Sequence, residues 1–219
     1  MKIVEFIFPK TCPICHRIGK DICAKCESAF EPAKLKCSVC SKHNPAGLTC
    51  EDCLKKYSPD QLLALYRYDG ALKELIHKFK FEDITAAAEY FADELSKKID
   101  SKRYEDFTIV PVPISFWRKF YRGYNQCEII AKSLSRKIGL PVEKLLACTS
   151  RIPQSQIEDY NLRKENIKGK FFLLGKKVPE NVIVLDDIYT SGATLKEICR
   201  VLKRGGAKKV IGVVIALAQ

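Results

Sequence analysis

Eight of the eleven cysteines in this 219-residue chain lie between positions 12 and 53, as four Cys-x-x-Cys pairs. A two-residue gap lets a tight turn direct both sulfur atoms at one metal ion, and two such turns complete a tetrahedral shell of thiolates. The residues between the pairs are rich in lysine and proline and too poor in apolar side chains to form a core, so bound metal must supply the missing stability. The pattern predicts two structural zinc ions, with these ligands: Cys12, Cys15, Cys23, Cys26, Cys37, Cys40, Cys50 and Cys53.

The way in which the four pairs share two ions stays open at this point. Sequential ligation places the first two pairs on one ion and the last two on the other, and it is favoured because it closes shorter loops at lower entropic cost. Interleaved ligation, with the first pair joined to the third, would give a cross-braced module. A redox Cys-x-x-Cys motif is disfavoured, because such a motif is expected as one pair beside a βαβ unit.

A second segment whose side chains could bind a ligand runs from Val182 to Thr194. Four aliphatic residues predict a buried strand that ends at two adjacent carboxylates, Asp186 and Asp187. The following residues bring hydroxyl groups and unpaired backbone N–H groups to the start of a helix, where the helix dipole also favours an anion. The pattern predicts a ribose 5-phosphate site, in which the carboxylates accept hydrogen bonds from the ribose hydroxyls. The phosphate is then expected on Thr190, Ser191, Gly192, Ala193 and Thr194.

Two plainer interpretations compete with the ribose 5-phosphate site. Asp186 and Asp187 could cap a helix or hold magnesium, and the residues after them could form an ordinary turn. The ordered set of carboxylates, hydroxyls and glycine argues against both, because a simple turn does not need it.

A basic and aromatic stretch from Phe116 to Asn125 contains five aromatic residues and three cations. Arg118, Lys119 and Arg122 could neutralise a pyrophosphate group. Alternatively, the cations could follow a single-stranded nucleic acid backbone while Trp117 and its aromatic neighbours stack on bases. A third possibility is that the aromatic side chains are part of the core.

These residues must be positioned by an α/β fold, because strand and helix patterns alternate from residue 107 onwards. The predicted strands cover residues 62–68, 108–112, 142–147, 171–174, 182–185 and 210–217. The predicted helices cover residues 72–79, 84–99, 125–137 and 195–204. Such mostly parallel sheets bind ligands beyond the carboxyl ends of their strands. We place a domain boundary in the turn-rich linker, which gives a Cys-rich module (1–57) and an α/β domain (58–219).

A long polar stretch between residues 148 and 169 contains four cations: Arg151, Arg163, Lys164 and Lys168. These are enough to close over a diphosphate, as mobile loops do in enzymes that exclude water from a reaction.

The formal charge of +12 and the pI of about 9.1 favour polyanionic partners, with nucleotides or nucleic acid as the natural candidates. No stretch approaches the roughly 18 uninterrupted apolar residues of a membrane span, which argues against membrane insertion. The N-terminus lacks the features of a signal peptide. We therefore predict a cytoplasmic protein, in which paired thiols bind metal and do not form disulfides.

The segment from Val182 to Thr194 resembles the ribose-phosphate signature of type I phosphoribosyltransferases, the enzymes that use phosphoribosyl pyrophosphate (PRPP). The cysteine-rich N-terminus resembles the double zinc ribbon of the ComF/ComFC competence protein family. Five further segments of the chain resemble the same family: Tyr68-Asp-Gly70, Leu75-Ile-His-Lys-Phe-Lys-Phe81, Val110-Pro-Val-Pro113, Arg122-Gly-Tyr-Asn-Gln126 and Arg163-Lys-Glu-Asn166. The resemblance implies a type I phosphoribosyltransferase fold with a mostly parallel sheet plus a small N-terminal zinc module. It also implies that PRPP binds with Mg²⁺ and that the pyrophosphate loop begins at Val110 to Pro113.

The family resemblance implies a role in natural transformation: handling incoming single-stranded DNA in the cytoplasm, beside a DNA translocase. The alternative is an active phosphoribosyltransferase that transfers ribose 5-phosphate from PRPP to an unknown acceptor. No histidine, cysteine or carboxylate stands out as a general base, so the catalytic residues are unassigned and enzymatic activity stays open.

Overall fold

The computed structural model describes residues 11–19, 21–81, 85–149, 167–175 and 177–218. Its helices are α1 (Ala24–Glu27), α2 (Gly70–Phe81), α3 (Thr85–Lys98), α4 (Phe116–Arg122), α5 (Gln126–Ile138) and α6 (Ala193–Arg204), with a 3-10 turn at Glu51–Cys53. Its strands are β1 (Gln61–Arg67), β2 (Phe107–Pro111), β3 (Leu146–Cys148), β4 (Phe171–Leu173), β5 (Asn181–Tyr189) and β6 (Lys209–Leu217).

Four of the strands form one parallel sheet in the order β1-β6-β5-β2, which confirms the predicted α/β architecture. The central strands are buried on both faces, and Ile183, Leu185, Val213 and Ile215 are at most 1% exposed. Continuous apolar runs of this kind are typical of parallel strands that are covered by helices on either side. The sheet thus brings the carboxyl ends of β2 and β5 together at one edge.

Helices α3 and α5 pack together on the sheet through the apolar faces that their sequence periodicity predicts. Phe91 and Leu95 of α3 and Ile130 and Leu134 of α5 are buried in one core. A hydrogen bond also joins the two helices, in which Glu89 of α3 accepts from the Ser133 hydroxyl of α5 at 2.6 Å. None of the helices in the described parts of the chain is both long enough and apolar enough to cross a membrane.

Two strand predictions and one helix differ from the structure. The strand predicted to end at residue 185 continues to Tyr189, because β6 pairs with β5 beyond the two aspartates. The strand predicted at 142–147 is reduced to β3, since Val142 makes only an isolated bridge to Ile109 and β3 pairs antiparallel with β4. Helix α4 was not predicted, because its aromatic and basic residues lack an apolar stripe that would mark a core-facing helix.

The Cys-rich module lies along the free edge of β1. Residues 32 and 48 each form an antiparallel bridge to this strand, at Tyr66 and Gln61. Gly47 accepts a hydrogen bond of 2.8 Å from the Leu62 N–H, and a side chain at Gly47 would meet the Leu62 oxygen at 2.0 Å. The module therefore covers a strand edge that would otherwise be open to pairing with other chains.

Candidate functional site

The eight predicted metal ligands form two groups of four thiols, and within each group the sulfur atoms lie within 4.8 Å of one another. Sequential ligation is therefore confirmed and interleaved ligation is wrong. The groups are Cys12, Cys15, Cys23 and Cys26, and Cys37, Cys40, Cys50 and Cys53. Four thiolates at such distances fit the closed tetrahedral shell of a structural zinc ion.

The two metal-binding groups are built in the same way. In each, the fourth residue after the first cysteine, His16 or Ser41, adopts a positive φ and donates its N–H to that cysteine's carbonyl. Burial opposes ionisation of Cys12 and Cys37, but the N–H groups of the surrounding turns outweigh it and lower the pKa of both thiols to about 6. The turns thus favour the thiolate, the form that binds metal, at Cys12 and Cys37. Burial raises the pKa of Cys26 to about 12, and the neighbouring Cys40 raises that of Cys53 to about 12, so these two thiols need the bound metal to ionise.

A cavity of about 450 Å³ lies beyond the carboxyl ends of β2 and β5. It is lined by both aspartates and by the whole loop from 190 to 194, so the structure brings the predicted ribose 5-phosphate residues together. It is also lined by Arg118 and Arg122 of α4. Asn125 anchors the end of this segment, because its side-chain amide donates to the Val112 carbonyl at 2.9 Å and its oxygen accepts from the Cys127 N–H at 3.0 Å.

The two aspartates occupy different environments inside β5. Asp187 forms an ion pair of 2.7 Å with Lys80 of α2. Asp186 lies deeper, with its Oδ1 contacted by the Asp187 N–H at 2.9 Å and by the Cys127 thiol at 3.8 Å. Burial raises the pKa of Asp186 to about 7, and the neighbouring charge of Asp187 adds to this shift. A ligand that donates hydrogen bonds to Asp186 would offset the cost of that buried charge.

We expect Asp186→Asn to raise the free energy of unfolding at pH 8. The folded state holds the Asp186 proton up to about pH 7, whereas the unfolded state releases it near pH 4, so this carboxyl lowers stability as pH rises through that range. The partly exposed site should limit the gain to about 1–3 kcal/mol at pH 8, decreasing to about half at pH 5.5. Denaturant unfolding at both pH values measures it.

The comparison variant is Asp187→Asn, which removes the ion pair with Lys80 but also the charge that adds to the Asp186 shift. These two effects oppose each other, so its gain at pH 8 should be smaller than that of Asp186→Asn. An equal gain for Asp186→Asn at both pH values would contradict the proposed titration of this carboxyl.

The predicted phosphate loop turns sharply at Gly192, which has φ of +73° and directly precedes the first residue of α6. A Cβ atom at this position would lie 2.2 Å from the Tyr189 Oη, so glycine is required both for the conformation and for space. The first N–H groups of α6 lack partners within the helix, and one of them, that of Ala193, donates to the Ser191 hydroxyl of the loop at 3.4 Å. The loop therefore has the backbone geometry of an anion site.

The two arginines of α4 lie on a different side of the helix from its exposed aromatic residues. Arg118 and Arg122, one turn apart, are half-buried and line the cavity. Trp117, Phe120 and Tyr121 are 62%, 71% and 83% exposed, and Phe116 and Lys119 are exposed as well. These four aromatic residues are thus not core residues, whereas Tyr124 is partly buried and donates its hydroxyl to the Phe79 carbonyl.

Comparison with known proteins agrees with these features. The phosphoribosyl transferase domain family matches residues 84–219, and the double zinc ribbon domain family matches residues 3–54. The chain is 30% identical over 199 residues to the DNA utilization protein YhgH of Salmonella typhi, covering 86% of this chain and 87% of the relative. It is 27% identical over 194 residues to the competence protein ComFC of Streptococcus pneumoniae, covering 86% and 84%. The chain belongs to the ComF competence protein family.

Another ComF relative is the competence protein F of Haemophilus influenzae, which is 27% identical over 209 residues and is covered to 90%. Solved structures are more distant. The allosteric regulatory enzyme of purine biosynthesis aligns with 60% of this chain and 26% of its own length, at 19% identity and a TM-score of 0.40. The two cysteine groups are the zinc sites of the double zinc ribbon.

Sequence reasoning missed three polar residues that line the cavity of this ComF family member. Lys80 lies within the segment from Leu75 to Phe81 that resembles the family, and this resemblance was the available signal, because its ion pair with Asp187 is visible only in the structure. Gln126 Nε2 and Lys170 Nζ are buried and lack a hydrogen-bond partner within the described ranges, which is rare for buried donors. Of the predicted loop cations, Lys168 is exposed, whereas Arg151, Arg163 and Lys164 lie outside the described residues.

Proposed function

We propose that the cavity binds PRPP. The observation that carries this proposal is the division of charge within one cavity: two carboxylates in β5, an anion loop at the start of α6, and two arginines on α4. The ribose hydroxyls would donate to Asp186 and Asp187, and the 5-phosphate would accept hydrogen bonds from the loop at 190–194. Arg118 and Arg122 would neutralise the diphosphate.

Mg²⁺ is expected to enter with the diphosphate. Magnesium keeps several waters and is commonly held through substrate phosphates and one or two carboxylates, and the cavity offers carboxylates of this kind. The ion would supply charge neutralisation, while the chain's own residues bind and orient the ribose and its 5-phosphate.

We further propose that this protein binds single-stranded DNA during natural transformation, in the cytoplasm and beside a DNA translocase. Two curated relatives are named competence proteins and a third is named a DNA utilization protein, which supports a role with DNA. The net charge of +12 attracts polyanions. The exposed face of α4, formed by Phe116, Trp117, Lys119, Phe120 and Tyr121, offers aromatic rings for stacking beside one cation.

On this proposal the regions 1–57 and 58–219 act as one unit. The zinc ribbons stabilise the β1 edge of the parallel sheet, and the same sheet carries the PRPP cavity at the carboxyl ends of β2 and β5. Helix α4 joins this cavity to the DNA-binding face. Arg118 and Arg122 serve the diphosphate, so Lys119 is the α4 cation that contacts DNA.

Trp117→Ala is expected to weaken binding of a twenty-nucleotide single strand by about 1–3 kcal/mol, because one base loses its stacking partner. The slope of log affinity against log salt should stay near its wild-type value, about −2 to −3.5 for three to five phosphate contacts, since stacking releases no ions. Lys119→Ala should instead make that slope less steep by about 0.7. Fluorescence anisotropy at several salt concentrations measures both quantities.

The control is Ile18→Ala, which removes an exposed apolar side chain of the first zinc ribbon and should leave DNA affinity unchanged. If the wild-type protein ignores single-stranded DNA at about 50 mM salt, the DNA-binding proposal is wrong.

A second candidate function is phosphoribosyl transfer to an acceptor. Two buried donors, Gln126 Nε2 and Lys170 Nζ, favour it, because they have no hydrogen-bond partner among the described residues and line the same cavity. They would suit an acceptor with carbonyl or anionic oxygen atoms. The discriminating measurement is pyrophosphate release from PRPP in the presence of candidate nitrogenous bases. Release above the rate of PRPP hydrolysis in buffer would establish an enzyme.

A further inference from the structure

We propose that the second zinc ribbon, residues 36–53, is a structural part of the phosphate site and holds the loop at 190–194 in place through Tyr189. Metal occupancy of this ribbon and ligand binding in the cavity would then be coupled. The identity of the ligand as PRPP rests on the proposed function, whereas the contact between the ribbon and the loop does not.

Tyr189, the last residue of β5, is the connecting residue. Its side chain is only 7% exposed, and its hydroxyl donates a hydrogen bond of 2.8 Å to the Ser38 carbonyl. Ser38 lies between Cys37 and Cys40, inside one of the turns that hold the second metal ion. The hydrogen bond thus joins the last residue of a central strand directly to a metal-binding turn.

The same phenol ring lies against Gly192. A Cβ atom on Gly192 would be 2.2 Å from the Tyr189 Oη and 2.7 Å from its Cζ, so the ring is in close contact with the Gly192 Cα. Gly192 is the residue whose left-handed conformation starts helix α6. One hydroxyl group therefore touches the ribbon on one side and the turn of the phosphate loop on the other.

The ribbon is fixed on both sides of this contact. Thr49 of the ribbon donates its N–H to the Asp60 carbonyl at 3.0 Å and its hydroxyl to the Pro59 carbonyl at 2.7 Å, and it contacts the Ser38 hydroxyl at 3.2 Å. The Ala218 N–H donates to the Tyr189 carbonyl at 2.8 Å, while the Ala218 carbonyl accepts from Lys36 at 3.4 Å.

The position of the Ser38 carbonyl depends on the metal. A turn between two cysteines that ligate one ion is held by that ion, and small zinc modules lose their structure without it. Removing zinc from the second ribbon should therefore free Ser38, remove the restraint on Tyr189 and loosen the turn at Gly192.

The first ribbon offers a comparison within the same chain. It docks away from the loop: the Pro13 carbonyl accepts a hydrogen bond of 2.6 Å from Lys78 of α2, and Phe30 packs on Tyr66 and Tyr90. We therefore expect that the rate of zinc loss from the first ribbon does not change when the phosphate ligand binds. Because coupling between two sites is reciprocal, ligand in the cavity should slow zinc loss from the second ribbon alone.

The test uses the full zinc-loaded chain, with PRPP and Mg²⁺ as the probe. Zinc release to a chromophoric chelator is followed in the presence of a thiol-alkylating reagent, and peptide mass spectrometry then locates the exposed cysteines. With saturating PRPP, we expect alkylation at Cys37, Cys40, Cys50 and Cys53 to slow by about 5-fold or more, the lower bound of typical coupling. Alkylation at the first four cysteines should not change.

Tyr189→Phe removes the hydrogen bond to Ser38 but keeps the ring. It should weaken PRPP binding by about 3- to 10-fold and reduce the protection of the second ribbon to less than about 2-fold. The matched control is Tyr90→Phe, which removes a partly buried hydroxyl of α3 that contacts the Tyr66 hydroxyl at 2.9 Å, and it should retain the full protection. Full protection in Tyr189→Phe would overturn the proposal.

Hydrogen exchange of the peptide that spans 188–198 tests the contact without any ligand. We expect faster exchange in Tyr189→Phe and after loss of the second zinc, but not in Tyr90→Phe. If exchange responds in this way and PRPP does not bind, the PRPP proposal fails and the coupling between ribbon and loop stands. If PRPP binds while neither exchange nor zinc release responds, the coupling fails and PRPP binding stands.

Discussion

Removal of both zinc ions by a strong chelator is expected to unfold residues 11–53. The ribbon residues contribute few apolar side chains to the core, and a structural zinc ion supplies about 10–16 kcal/mol of apparent binding free energy. The α/β domain should stay folded because its own sheet is covered by helices, but the exposed edge of β1 should make it prone to association. Metal analysis before chelation should find close to two zinc ions per chain.

Limited proteolysis detects the unfolding of the ribbons after chelation, and light scattering detects the association of the α/β domain. New cleavage confined to the first 53 residues, together with an increase in scattering, is the expected result, and zinc added back should reverse both. A stoichiometry near zero, an iron–sulfur absorption spectrum, or continued protection of the ribbons after chelation would contradict the account.

Replacing Asp186 and Asp187 together is expected to cause the second large effect. The double change to alanine should weaken PRPP binding by about 2–5 kcal/mol, because charge-assisted hydrogen bonds to the two ribose hydroxyls are lost. Thr194→Ala should act in the same direction but more weakly, since it removes one hydroxyl from the phosphate loop. Calorimetric titration with PRPP and Mg²⁺ measures both variants.

The matched control for the double variant is alanine at Glu105 and Asp106, another adjacent acidic pair, which is exposed. It should leave PRPP affinity unchanged. Circular dichroism must show that the Asp186 and Asp187 double variant is folded, because Asp187 also pairs with Lys80. Unchanged affinity in a folded double variant would show that ribose does not bind at these carboxylates.

The parts of the molecule that depend on local patterns were predictable from the sequence. The Cys-x-x-Cys spacing depends on one tight turn, and the loop at 190–194 depends on consecutive small and hydroxylated residues, so both are visible in a short window. Helices α3 and α5 and the central strands follow from apolar periodicity, because each buries a regular face in the core.

The features that could not be predicted depend on contacts between distant residues. Tyr189 and Ser38 are 151 positions apart, and nothing near either residue marks their hydrogen bond. The two faces of α4 were also hidden, because a sequence of alternating rings and cations does not reveal which side meets a cavity. Pairing with β6 carries β5 past the aspartates to Tyr189, and this pairing is likewise a property of the whole sheet.

Titration of the zinc-loaded wild-type protein with PRPP tests the central claim most directly. With Mg²⁺ present, calorimetry should show one saturable site per chain, and ribose 5-phosphate and pyrophosphate should each compete with PRPP, because each occupies one part of the cavity. Binding should weaken strongly when Mg²⁺ is removed. The absence of saturable PRPP binding to folded protein with both zinc ions in place would contradict the account.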